Sequence, residues 1–185
     1  NQDATPFSQP LAFAVLHPNI DSMRTLRVLM VVVIAAVSDL VRRTEAADST
    51  IDVGVAKIDI TPTEPIRLSG YRTRREPTDQ IDGRLWAKAL AIGANSEKPA
   101  VLITVELVGL TRSTTDALAE RLAEKAGIPR ERLAVCVTHT HTGPFVRGNL
   151  PNIFGIPIPK DHQSAIDRYA DSLAGKLEQV ALAAL

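Results

Sequence analysis

One cysteine, few aromatic residues and no net charge mark this 185-residue sequence. With Cys136 alone, an intrachain disulfide framework, a CxxC redox pair and a zinc knuckle are all excluded. A metal site here has to be built from histidines and carboxylates. Lys plus Arg and Asp plus Glu number 21 each, so no basic surplus points to a nucleic-acid backbone and no acidic surplus to a solvating tail. No nucleic acid is expected as a partner. The longest apolar run, Val28 to Val37, falls well short of the roughly 20 residues that a membrane-spanning helix requires. What is present is ordinary globular composition, 45% hydrophobic and 23% charged residues, on a chain long enough to bury a core.

The apolar run follows Met23, Arg24 and Arg27 and leads into small residues at Ala36-Val37-Ser38 and again at Ala46-Ala47. That is the order of a secretory signal peptide. Residues 23–47 are therefore read as a signal peptide with Met23 as initiator, and residues 1–22 as an upstream or disordered leader. Residues 48–185 form the exported part, secreted or held in the periplasm or cell envelope. A buried core helix or strand over 28–37 is the alternative. The lone Cys136 sits in an apolar stretch and reads as a buried thiol.

Along the exported part, Ile51 to Ile60 alternates apolar and polar residues and stops at Thr61-Pro62, as a half-buried strand does. Residues 61–82 hold three prolines, Gly70 and the cluster Arg72-Thr73-Arg74-Arg75, which predicts a long surface loop with solvated arginines. Strand-like alternation returns over Arg84 to Gly93. Ala100 to Leu107 is a run rich in β-branched residues, typical of a strand covered on both faces. The period then changes. Leu118, Leu122 and Ala126 recur at helical spacing, Ser113 or Thr114 stands where a cap belongs, and Gly127 stands past the end. Leu133 to Val137 is the next short buried strand. Strand, helix and strand make a parallel βαβ unit, so the class is α/β with a mixed sheet. A loop rich in Gly and Pro over 143–159 leads to an amphipathic helix from about Gln163 to Leu185.

The chemistry lies at the end of the second βαβ strand, in Thr138-His139-Thr140-His141-Thr142-Gly143-Pro144. Residues two apart on extended backbone share a face. His139 and His141 can thus converge on one metal, or one can bind metal while the other meets substrate; the bland alternative is two strand-end histidines bonded to their threonines. Glu106 lies at the carboxyl end of the preceding strand, the edge of the sheet where α/β folds gather ligands. His162, after an irregular loop, reads as a surface residue.

These residues, together with Gly54-Val55-Ala56-Lys57-Ile58-Asp59-Ile60-Thr61-Pro62, Ser69-Gly70-Tyr71 and the strand Val101 to Leu107, resemble the N-terminal catalytic domain of the neutral/alkaline non-lysosomal ceramidases. The resemblance runs from about Asp52 to the end. It implies that His139 ligates a catalytic Zn2+ and that His141 lies beside the substrate amide as a catalytic residue. It also implies zinc-dependent hydrolysis of the N-acyl amide bond of ceramide or another N-acyl lipid, releasing a sphingoid base and a fatty acid, with transient contact at a membrane surface. In that family a further histidine, a glutamate and a tyrosine far downstream complete the site. The chain is thus expected to be an incomplete N-terminal part of a larger catalytic domain, inactive alone, with Glu106 in a structural hydrogen bond instead of on the metal. A non-catalytic binding module of the same fold is one alternative. The other is an unrelated metal-dependent esterase or phosphatase with Glu106 or Asp161 as its carboxylate ligand.

Overall fold

The structure, a computed structural model, describes residues 28–31, 50–94 and 99–185. It divides into two units, Asn1–Ser49 and Thr50–Leu185. Of the first, Val28 to Val31 are helical and exposed. The rest of the leader and of the signal-peptide assignment lies outside the described residues. No helix among the described residues is long and apolar enough to cross a membrane.

In the second unit, four strands form one sheet in the order β1 (Val53–Asp59), β4 (Trp86–Ile92), β5 (Ala100–Val105), β6 (Leu133–Val137). β1 and β5 run antiparallel to β4, while β6 runs parallel to β5, with Val101 opposite Leu133 and Val105 opposite Val137. The βαβ unit is therefore present, and the sheet is mixed. Its crossover is α1 (Arg112–Ala126). The expected cap was one turn too late: Thr111 has the extended backbone of a cap, and its hydroxyl accepts from Thr114 N–H at 3.2 Å. Ser113 and Thr114 are already helical. The other end is as expected, with Gly127 at φ 65° and its N–H donating to the Ala123 carbonyl.

α2 (Lys160–Ala183) begins one turn before the expected Gln163, because Pro159 ends the loop and the polar first turn hides the apolar period. It lies on β1 and β4, reaches β2 (Ile66–Arg67) and β5, and packs alongside α1. Small residues make this approach possible. Ala87, Ala89 and Ala91 of β4 are buried beneath it, and a Cβ on Gly54 of β1 would fall 1.9 Å from the Ala184 carbonyl oxygen. Ile166, Leu173, Leu177 and Val180 meet Val101, Ile103 and Val105 in one core. Burying each such side chain contributes about 1.5–3 kcal/mol. Arg121 and Lys125 of α1 both pair with Glu178, linking the helices at the surface.

Both helices belong to the core on one side of the sheet, which corrects the expectation that β5 is covered on both faces. On the other side Leu102 is half-buried between Leu90 and Ala134, while Val53 and Val55 are 63% and 74% exposed. Parity also overturns the buried Cys136, which lies on this open face and is exposed. The predicted loop 61–82 is only partly loop. It contains a short ladder of β2 (Ile66–Arg67) with β3 (Pro77–Thr78), and Ile66, Arg67 and Ser69 are buried.

Candidate active site

The Thr138–Pro144 segment leaves β6 and immediately departs from strand geometry. Thr138 N–H still reaches the Val105 carbonyl, at 3.0 Å, but His139 has φ 59°. A non-glycine residue held there costs of order 1 kcal/mol and persists only where its surroundings fix it. Here the imidazole supplies the fixing contact, with Nδ1 2.9 Å from the Val108 carbonyl oxygen. A carbonyl only accepts, so Nδ1 carries the proton and Nε2 of the neutral ring keeps its lone pair. A backbone carbonyl on one ring nitrogen is how metal-binding histidines are commonly oriented.

His141 comes round to the same place despite the break in alternation. Its ring centroid is 5.1 Å from that of His139, edge to face, and 4.9 Å from that of Tyr71. Its Nδ1 is buried without a hydrogen-bond partner. Gly70, at φ 94°, makes this seat: a Cβ there would stand 2.5 Å from His141 Cγ and 2.7 Å from its Nδ1.

The segment 66–75 is strapped along the motif. Ser69 N–H donates to Gly143 O at 2.9 Å, Phe145 N–H to Arg67 O at 2.7 Å, and Leu68 and Pro144 form an antiparallel bridge. Arg74 was expected to be solvated. Instead its Nη1 donates to the carbonyls of both Ser69 and His141, and its guanidinium stacks 4.8 Å from the Tyr71 ring centroid. Arg67 is buried over Phe154, and its Nε donates to His162 Nδ1 at 2.9 Å. His162 is thus no surface residue, since its side chain is 15% exposed and serves to anchor β2 to α2. Sequence reasoning missed Arg67, Tyr71 and Arg74 as a group. The only signal was that so many arginines crowd one loop beside Ser69-Gly70-Tyr71.

The threonines of the motif face elsewhere. Thr138, Thr140 and Thr142 line a cavity of about 670 Å³ between the strand ends and the loop 61–85, together with Glu106 and Arg74, whereas neither histidine lines it. Glu106 is committed to Trp86 N–H at 3.0 Å and to Lys88 Nζ at 3.0 Å. Asp161 stands 3.8 Å from His162 with its side chain 80% exposed. Neither joins the two histidines, and no group of three potential metal ligands occurs among the described residues. Among the described residues the donor set for a zinc ion is therefore two neighbouring imidazoles, one of them oriented by a backbone bond on Nδ1 that leaves its Nε2 free. That fits part of a zinc site, because catalytic zinc normally takes three protein ligands.

Two solved structures share this architecture. A neutral ceramidase from Pseudomonas aeruginosa superposes with a TM-score of 0.56 at 23% sequence identity, over 72% of this chain and 21% of its own. The chain folds like part of a neutral ceramidase. A ceramidase complexed with C2 matches equally widely, with a TM-score of 0.57 and 20% identity. The chain spans about a fifth of the length of these ceramidases. No family model matches it, and no curated protein matches it by sequence.

Proposed function

We propose that this chain carries part of the active site of a zinc-dependent amidohydrolase. Its substrate is the N-acyl amide of ceramide-like sphingolipids, and its products are a sphingoid base and a fatty acid. The observation that supports this most is the His139 ring, pinned through Nδ1 to Val108 with Nε2 free, in a fold shared with neutral ceramidases. His139 is the residue that holds the metal, through Nε2. When bound, zinc supplies Lewis acidity that lowers the pKa of water toward about 7 and polarises a carbonyl.

His141 is the proton-handling group beside it. An amide nitrogen leaves only once it is protonated, and a neutral imidazole a ring's width from the metal-bearing histidine is suited to move that proton. Tyr71 and Gly70 pack against its ring, and its Nδ1 is buried. The remaining zinc ligands are assigned to polypeptide outside these 185 residues, which makes the chain an N-terminal part of a larger catalytic domain and inactive alone. Residues 23–47 direct export, so the enzyme acts outside the cytoplasm or in the cell envelope and meets its lipid in transient contact with a membrane surface.

The test is the complete reading frame, expressed and incubated with a fluorescent N-acylsphingosine at neutral to alkaline pH. Hydrolysis that strong chelators abolish and added zinc restores is the expected result. Chelator-resistant hydrolysis, or none by zinc-loaded protein, overturns the proposal.

A further inference from the structure

The two histidines are held in different ways. His139 is oriented by a hydrogen bond on Nδ1, whereas His141 Nδ1 is buried with no partner. No polar contact on that nitrogen sets the His141 ring, so its direction depends on what packs against it. Three groups do: the His139 ring, the backbone of Gly70, and the Tyr71 ring at 4.9 Å and an interplanar angle of 71°. Tyr71 is 52% exposed, so burial alone does not hold it. Its ring is covered by the Arg74 guanidinium, and the same Arg74 grips the carbonyls of Ser69 and His141. One cation therefore fixes both the backbone of His141 and the aromatic ring that its imidazole leans on.

We propose that Tyr71 and Arg74 are positioning residues for His141, so that the loop 69–75 rather than strand β6 aims the imidazole. This rests on the role given to His141 above, and it deepens that reading by naming what makes the role possible. Edge-to-face packing needs an aromatic ring but no hydroxyl. The Arg74 task needs a planar cation that stacks and donates at once, which a lysine ammonium performs only in part.

Two measurements separate this proposal from the reading it rests on. In the 185-residue chain labelled at histidine, the His141 ring proton resonances carry the ring current of Tyr71. Tyr71→Leu and Arg74→Gln should each move them, Tyr71→Phe should restore them, and those of His162 should stay in place. In the zinc-loaded complete enzyme, a misaimed group costs about 10–100-fold in rate. Tyr71→Leu and Arg74→Gln should therefore lower kcat by that factor with KM and zinc content little changed, Tyr71→Phe should recover the loss, and Arg74→Lys should fall between. If no zinc-dependent amide hydrolysis exists, the proposed function fails while the resonances still decide the positioning claim. Unmoved His141 resonances in both Tyr71→Leu and Arg74→Gln overturn it. A Tyr71→Phe defect as deep as that of Tyr71→Leu overturns it too, since the hydroxyl would then be the active part. Should either variant unfold by circular dichroism, Arg74→Lys carries the decision: a partial shift of the His141 resonances is expected, and unmoved resonances overturn the proposal.

Discussion

Replacing Gly70 by alanine tests the packing of the site against a number. At φ 94° an L side chain pays a backbone cost of about 1–2 kcal/mol. The new methyl would also stand 2.5 Å from His141 Cγ and 2.7 Å from its Cβ and Nδ1, so the histidine or the loop has to move. Overpacking of that kind adds about 1–3 kcal/mol, for a total of roughly 2–5 kcal/mol. Gly127→Ala is the internal control. It too has a positive φ, 65°, but nothing lies within 4 Å of its Cβ position, so it bears only the backbone part of about 1 kcal/mol. Urea denaturation reads the difference, because a slope of about 1–3 kcal/mol per molar turns it into a midpoint shift of order 1 M. Pairing Gly70→Ala with His141→Gly removes the obstacle and should return at least about 1 kcal/mol as a coupling. Equal costs at Gly70 and Gly127, or strict additivity with His141→Gly, would refute the claim that Gly70 is the seat of His141.

Acid should loosen α2. Its Arg168 holds Glu64, and Lys125 with Arg121 holds Glu178, so both carboxyls titrate below the ordinary 4.5, while hydrogen bonds from Thr61 hold Asp59 below 3.8. Folded values below unfolded ones mean that this stability is complete above about pH 4.5 and is lost as pH falls through the lowered values, and acid titration followed by far-ultraviolet circular dichroism should place the onset there. In alkali the opposite sign applies. Burial pushes the Tyr169 phenol well above its usual 10, where it donates to the Ile60 carbonyl at 2.8 Å. Its contribution is complete below pH 10 and declines above it. Tyr169→Phe should cost about 0.5–1.5 kcal/mol at pH 7 and flatten the decline above pH 10 in denaturant melts. An unchanged alkaline slope would place the titration elsewhere.

Much of the fold was legible because it follows periodicity. The β1 alternation, the helical spacing of Leu118 and Leu122, and Gly127 are local signals, and each maps onto the observed element. What was not legible depended on partners distant in sequence. A β-branched, mostly apolar run such as Val101–Val105 looks the same whether one face or two are covered, which is why the open side of the sheet and the exposure of Cys136 were not legible. His162 looked like a loop residue because its partner, Arg67, lies 95 residues away. At the site, the THTHTGP motif singled out His139 and His141 as candidates but carried no signal of how their rings are aimed. Strand parity predicts two side chains on one face. The positive φ at His139, the Val108 carbonyl and the Gly70 seat bring the rings together by another route.

The division of labour between the two histidines is the central claim, and zinc content measured alongside turnover tests it most directly. In the product of the complete reading frame, the proposed function requires His139→Ala to lose zinc and amide hydrolysis together. His141→Ala should lose turnover while most of the zinc remains, since a change beside a ligand typically weakens metal affinity by only about 10–100-fold. Elemental analysis of both variants after gel filtration gives the answer. Equal loss of zinc from the two would contradict the account and make His139 and His141 a two-histidine chelate.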